Sequence, residues 1–204
     1  MNIKPILFNT EMVQSILGGL KTCTRRLVKF LPGENPQWTG YIKDGLMLYN
    51  GTNEPCCRKP PYKIGDVLYV RETWTDHYVP NEIGKPELQY CYKADGTDIK
   101  GECLPGENNR WYPSIHMPKE AARIFLKVTD VHVERLHEID IEGIRNEGLS
   151  SAAVHCGDME IALKEWEILW NSTIKKSDLD RYGWDANPWV WVIEFERCEK
   201  PGKE

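Results

Sequence analysis

The spacing of apolar positions changes period along the chain, and each change marks an element. Ile6 to Phe8 is a short apolar run that predicts a strand. Asn9 or Thr10 then offers a helix cap, and Met12, Val13, Ile16 and Leu17 recur at helical spacing until Gly18 and Gly19. Val67, Leu68, Tyr69 and Val70 form an unbroken β-favouring run, which predicts a central strand ending in Arg71, Glu72 and Trp74. Between 122 and 130, Ala122, Ile124, Leu126 and Val128 alternate with Arg123, Phe125 and Lys127, the period of a strand, and Val131 to Leu136 continues it or pairs with it. Asp140 caps a short predicted helix, Ile141 to Glu147, with Ile144 facing inward and Gly148 as its stop. The longest predicted helix covers 158–171, where Ala162, Trp166, Leu169 and Trp170 share a stripe that reads as core. Trp189 to Phe195 closes the chain with a strand.

Between these elements lie polar stretches rich in turn residues. Residues 31–61 carry the turn signals Pro32-Gly33 and Asn50-Gly51 and predict an insertion with a hairpin from Tyr41 to Tyr49. Residues 76–110 form a second insertion, with a strand at Leu88 to Tyr92. Strands outnumber helices, and the helices fall between them. That order predicts one α+β domain over 1–204, built on a mixed, barrel-like sheet.

Composition narrows the classes. The chain has 204 residues, 41% of them hydrophobic, enough to bury a core. Its net charge of -5 argues against a broad basic surface for nucleic acid and leaves a small-molecule or single-nucleotide site open. Residues 1–30 reverse that balance, with Lys4, Lys21, Arg25, Arg26 and Lys29 against Glu11 alone. The seven cysteines include no C-x-x-C pair, and Cys56-Cys57, the Cys91 and Cys103 pair and His155-Cys156 lack zinc spacing, so no metal or cofactor is expected. With no apolar run of membrane-spanning length and no signal-like start, the expectation is a reduced, cytoplasmic protein.

Candidate chemistry concentrates in Gly18 to Arg26, where an amine, two hydroxyls and two guanidiniums follow a helix-ending glycine pair. A threonine hydroxyl needs a neighbouring base to become a nucleophile, and a lysine beside other cations is one candidate. Arg71, Glu72 and Trp74 stand at a strand end, a common mouth for ligand clefts: Trp74 can stack on a base, and Arg71 can bind phosphate or pair with Glu72. His116, between Pro113 and Pro118, is a candidate donor to a base edge. Eight tryptophans exceed the needs of one small core, which makes Trp38, Trp74, Trp111 and Trp184 candidate stacking surfaces. Each of these also has a plain alternative, a solvated basic turn or a packed aromatic.

Four motifs, taken together, resemble a family. Gly-x-Lys-Thr-x-Thr-Arg-Arg at 19–26, Gly-Asp-Val-Leu-Tyr-Val at 65–70, Asn-Glu-Gly-Leu at 146–149 and Trp-Val-Ile-Glu-Phe at 191–195 resemble the ASCH domain, a relative of the PUA domain. Residues 4–10, 70–74, 114–118 and 187–191 resemble its phage and prophage members more closely, which implies a bacterial host or phage-infected cell. The resemblance implies a small β-barrel flanked by helices, with 31–61, 76–110 and 150–157 inserted. It implies a cleft for a nucleoside, nucleotide or single-stranded RNA. Some members are amidohydrolases acting on N4-acetylcytidine through a lysine, a threonine three positions on and a glutamate; these match Lys21, Thr24 and Glu147. Arg26 is then the expected oxyanion donor, with Arg25, Arg71, Glu72, Trp74 and His116 as ligand contacts. The alternatives are a non-catalytic module that binds RNA or a modified base and, more remotely, a metal-dependent ribonuclease. The sequence does not fix an oligomeric state.

Overall fold

The computed structural model describes residues 3–34, 41–43, 47–50, 52, 54–80, 82–96 and 110–202. The elements run β1 (Ile3–Leu7), α1 (Thr10–Leu17), β2 (Cys23–Leu27), β3 (Tyr41–Lys43), β4 (Met47–Tyr49), β5 (Val67–Arg71), β6 (Trp74–Pro80) and β7 (Pro86–Tyr92). There follow β8 (Phe125–Arg135), α2 (Ile141–Asn146), α3 (Ala152–Cys156), α4 (Met159–Thr173), α5 (Leu179–Tyr182) and β9 (Trp189–Cys198). The fold is α+β. Five strands make one mixed sheet in the order β1-β5-β8-β9-β2, while β3-β4 and β6-β7 are separate hairpins. This order is open, with β1 and β2 as edges, so among the described residues the sheet does not close into the expected barrel.

The chain divides into two compact units. The first comprises Met1–Gly18, Val67–Lys127 and Arg197–Glu204. In it β1 runs parallel to β5, from Ile3 opposite Val67 to Leu7 opposite Arg71, and β5 pairs antiparallel with the start of β8. Asn9 caps α1 by accepting from the Met12 N–H at 2.8 Å, and Val13 and Ile16 are buried as the helical period requires. The hairpin β6-β7 adds a strand, β6, that the polar character of 76–80 concealed. Val67, Trp74, Met117, Ala122 and Phe125 pack together in this unit.

The second unit comprises Gly19–Asp66 and Val128–Glu196. Here β2 pairs antiparallel with β9, from Cys23 opposite Glu194 to Leu27 opposite Val190. Ile144, Val154, Trp166, Trp170 and Val190 form its core, so the aromatic stripe of α4 is buried as its spacing predicts. The hairpin expected over 41–49 is present as β3-β4. Of the cysteines, Cys23, Cys56, Cys57, Cys156 and Cys198 are thiols, whereas Cys91, in the first unit, is disulfide-bonded, a departure from the fully reduced chain expected. Among the described residues no helix is long and apolar enough to cross a membrane.

Candidate functional site

The second unit gathers residues far apart in sequence around one carboxylate. Asp140 caps α2 by accepting from the Gly143 N–H at 2.7 Å, Ile144 anchors the helix in the core, and Gly148, at φ 96°, turns the chain away. Glu147, at the C-terminal end of this helix, is thereby held against the edge of β2. The Thr22 N–H donates to the Asn146 carbonyl at 2.8 Å, and the Arg25 N–H donates to Glu147 Oε1 at 2.6 Å. These two bonds satisfy backbone donors that an edge strand otherwise leaves open. Gly143 allows the close approach: a Cβ there would lie 3.0 Å from Arg25 Nη2.

Lys21 Nζ donates to Glu147 Oε2 at 2.6 Å and to the Glu147 carbonyl at 2.8 Å. The two side chains are 0% and 3% exposed, so an ammonium and a carboxylate share a site closed to bulk water. Burying either charge alone would be costly, and the short contact offsets that cost. Arg25 extends the network: Nη1 lies 3.4 Å from Glu147 Oε1, and Nε donates to Glu134 Oε1 at 2.8 Å. Although burial pulls the Arg25 guanidinium down, Glu147 and Glu134 hold it above its usual value. Burial pushes the Cys23 thiol up to about 12, with Glu147 adding to the effect, so Cys23 is no thiolate nucleophile at neutral pH.

Thr24 and Arg26 stand differently. Both lie on β2, and its alternation puts them on the face opposite Cys23 and Arg25. Thr24 is buried, but among the described residues no hydrogen bond joins its hydroxyl to Lys21 or Glu147. Burial pulls Arg26 below its usual value, opposed by Tyr62 and by the charge of Glu147. The structure thus brings together Lys21, Arg25 and Glu147, and the guanidinium bonded to the carboxylate is that of Arg25.

Two residues of this network were not singled out from sequence. Glu134 and His132 follow Asp130 at alternate positions of β8, facing away from Val131 and Val133, which are buried. His132 Nδ1 is 2.7 Å from Asp130 Oδ2, and its Nε2 is 3.7 Å from Glu134 Oε2. Hydrogen bonding to Glu134, opposed by partial burial and joined by Asp130, pushes His132 up to about 9. Burial raises Glu134, yet His132 and Arg25 together carry it below the usual carboxylate range. The alternation Asp-x-His-x-Glu within an apolar strand was the available signal.

The remaining candidates belong to the first unit. Glu72 is buried and clasped by Arg123 through two 3.0 Å contacts; Arg123 also donates to Asp95 at 2.7 Å and lies 3.9 Å from the Tyr92 ring centroid. Arg71 does not pair with Glu72 here but donates to the carbonyls of Met117, at 2.9 Å, and Ile115, bracing the loop that holds His116. Trp74 packs against Tyr90 and Tyr112 at ring separations of 5.8 and 5.2 Å, its indole N–H buried without a partner. His116 is exposed, and Trp111 and Trp184 are half-buried. Trp38 lies outside the described residues. A cavity of about 770 Å³ in this unit is lined by Ile3, Lys119, Phe125, Lys127, Cys198 and Lys200 among others, and by none of the candidate residues.

No family model matches the chain, and no curated protein does. Two solved structures align with the chain over nearly its whole length, at low identity. A hypothetical protein, PH0355, aligns over 97% of this chain and 100% of its own, at 15% identity and a TM-score of 0.37. The other is an ASCH domain from Lactobacillus crispatus JV V101, aligned over 96% of this chain and 79% of that one, at 11% identity and a TM-score of 0.39.

Proposed function

We propose that this protein is an ASCH-type amidohydrolase that removes the acyl group from N4-acetylcytidine or a closely related N-acylated nucleoside. The observation that carries the reading is the 2.6 Å contact between Lys21 Nζ and Glu147 Oε2, made by residues 126 positions apart and closed to bulk water. Those two positions are the ones that the motif resemblance assigns to catalysis.

The chemistry follows from the pair. A proton passing from the Lys21 ammonium to Glu147 leaves a neutral amine beside a carboxylic acid, a transfer that creates no net charge. The amine then takes a proton from water, and the resulting hydroxide adds to the acyl carbon. The tetrahedral oxyanion is stabilised by the Arg26 guanidinium, and the Thr24 hydroxyl, on the same strand face, orients the acyl group. Collapse breaks the C–N bond as Glu147 returns its proton to the departing N4 amine, so one water is consumed and the Lys21–Glu147 ion pair is restored. Arg25, held by Glu134, keeps Glu147 in place throughout.

Incubation with N4-acetylcytidine, followed by chromatography for cytidine and acetate, tests the reading. Turnover by the wild type that falls at least about 100-fold in Glu147→Gln supports it; absence of turnover, or equal turnover in the variant, overturns it.

The completeness of burial favours a second reading. A pair exposed by no more than 3% also serves as a brace between α2 and β2, and the protein would then bind a nucleoside or single-stranded RNA without turning it over. That reading predicts salt-sensitive binding with no cytidine produced, measured by fluorescence anisotropy at two ionic strengths.

A further inference from the structure

We propose that Asp130, His132 and Glu194 form a binding site for a first-row divalent transition-metal cation, with Mn2+ as the representative ion. One ligand atom from each, two carboxylate oxygens and one imidazole nitrogen, lies within 4.8 Å of the others. The grouping is a product of strand geometry. Asp130 and His132 are alternate residues of β8 and project from one face, and Glu194 belongs to β9, the neighbouring strand of the sheet. Neither strand alone supplies the set.

Charge accounting around this face points the same way. Lys21 and Arg25 are the cations of the adjoining network, and Glu147 and Glu134 are bonded to them. Asp130 and Glu194 add two further carboxylates, and among the described residues Glu194 makes no ion pair. Ligation requires His132 as a neutral imidazole, and two carboxylates then exceed the positive charge of Lys21 and Arg25 by the charge of one divalent ion. A mixed oxygen and nitrogen set suits Mn2+, Fe2+ or Zn2+ better than Ca2+, which takes oxygen ligands throughout. Asp130 and His132 are half-buried and Glu194 is exposed, which leaves room for water to complete the coordination. Glu134, already bonded to Arg25, adjoins His132 and connects the cation site to Glu147 through one guanidinium. The proposal stands independently of whether the Lys21–Glu147 pair is catalytic.

Mn2+ is the probe of choice because the thiols of Cys56, Cys57 and Cys156 would compete for Zn2+. Titration of untagged protein with MnCl2, followed by the free-ion electron paramagnetic resonance signal, is expected to show one saturable ion per chain. Asp130→Asn and Glu194→Gln should each weaken binding about 10-fold or more, with melting temperatures recorded alongside. Pulsed resonance of the bound ion should reveal coupling to one imidazole nitrogen that His132→Gln abolishes. Absence of saturable binding at millimolar Mn2+, unchanged affinity in both carboxylate variants, or a bound ion without nitrogen coupling would overturn the proposal.

Discussion

Each compact unit buries a glutamate beside an arginine, and the two differ in how the carboxylate is used. In the first unit Arg123 meets Glu72 with two parallel 3.0 Å contacts, the fork geometry that saturates both groups, and Tyr92 and Asp95 cover the remaining sides of the guanidinium. In the second, Glu147 is divided among an ammonium, a backbone N–H and a more distant guanidinium nitrogen. A closed fork has no readily transferable proton and reads as architecture. A carboxylate shared with a lysine has one across 2.6 Å, the proton that the proposed mechanism uses. Burial alone does not separate the two cases; the identity of the donors does.

The sharpest way to break this comparison is to delete each carboxylate in turn. Glu147→Ala leaves Lys21 fully buried without its counter-charge and opens the Arg25 N–H, and should lower stability by about 3–5 kcal/mol in urea unfolding. Glu72→Ala should cost less, about 1–3 kcal/mol, because Arg123 is 27% exposed and keeps Asp95. An equal or reversed ranking would show that Glu147 is held no more stringently than Glu72. Arg25→Lys keeps the charge but loses the fork that spans Glu134 and Glu147; a loss of about 1–2 kcal/mol, read from the same transitions, is expected. Trp74→Phe should have the smallest effect, within about 1 kcal/mol, since it removes an unpartnered buried N–H along with some packing. A loss beyond about 3 kcal/mol would mean that the indole fills space that Phe leaves as a cavity.

Legibility in the sequence followed from what carried each signal. Local periodicity marked α1, β5, β8, α4 and β9, and the caps Asn9 and Asp140 act as their residue types suggest. β6 escaped because its buried residues, Trp74 and Thr75, are adjacent at its start and set no alternation, and α3 and α5 because helices of five and four residues are too short to show a period. The open sheet was beyond reach, since strand order is set by long-range pairing and not by any local pattern. At the site, Lys21 and Glu147 entered through motif resemblance. That Arg25 is bonded to Glu147 depended on which side of β2 meets α2, a matter of register. The pairing of Glu72 with Arg123 was hidden because the two lie 51 residues apart and no local pattern marks them.

The central claim is that the Lys21–Glu147 pair transfers a proton during amide hydrolysis. Lys21→Arg tests it most directly, because a guanidinium retains the charge opposite Glu147 yet does not deprotonate in proteins. Steady-state turnover of N4-acetylcytidine, measured on variant protein with circular dichroism matching the wild type, is predicted to fall at least about 100-fold. Turnover within about twofold of the wild type would contradict the account and leave the pair as a structural brace.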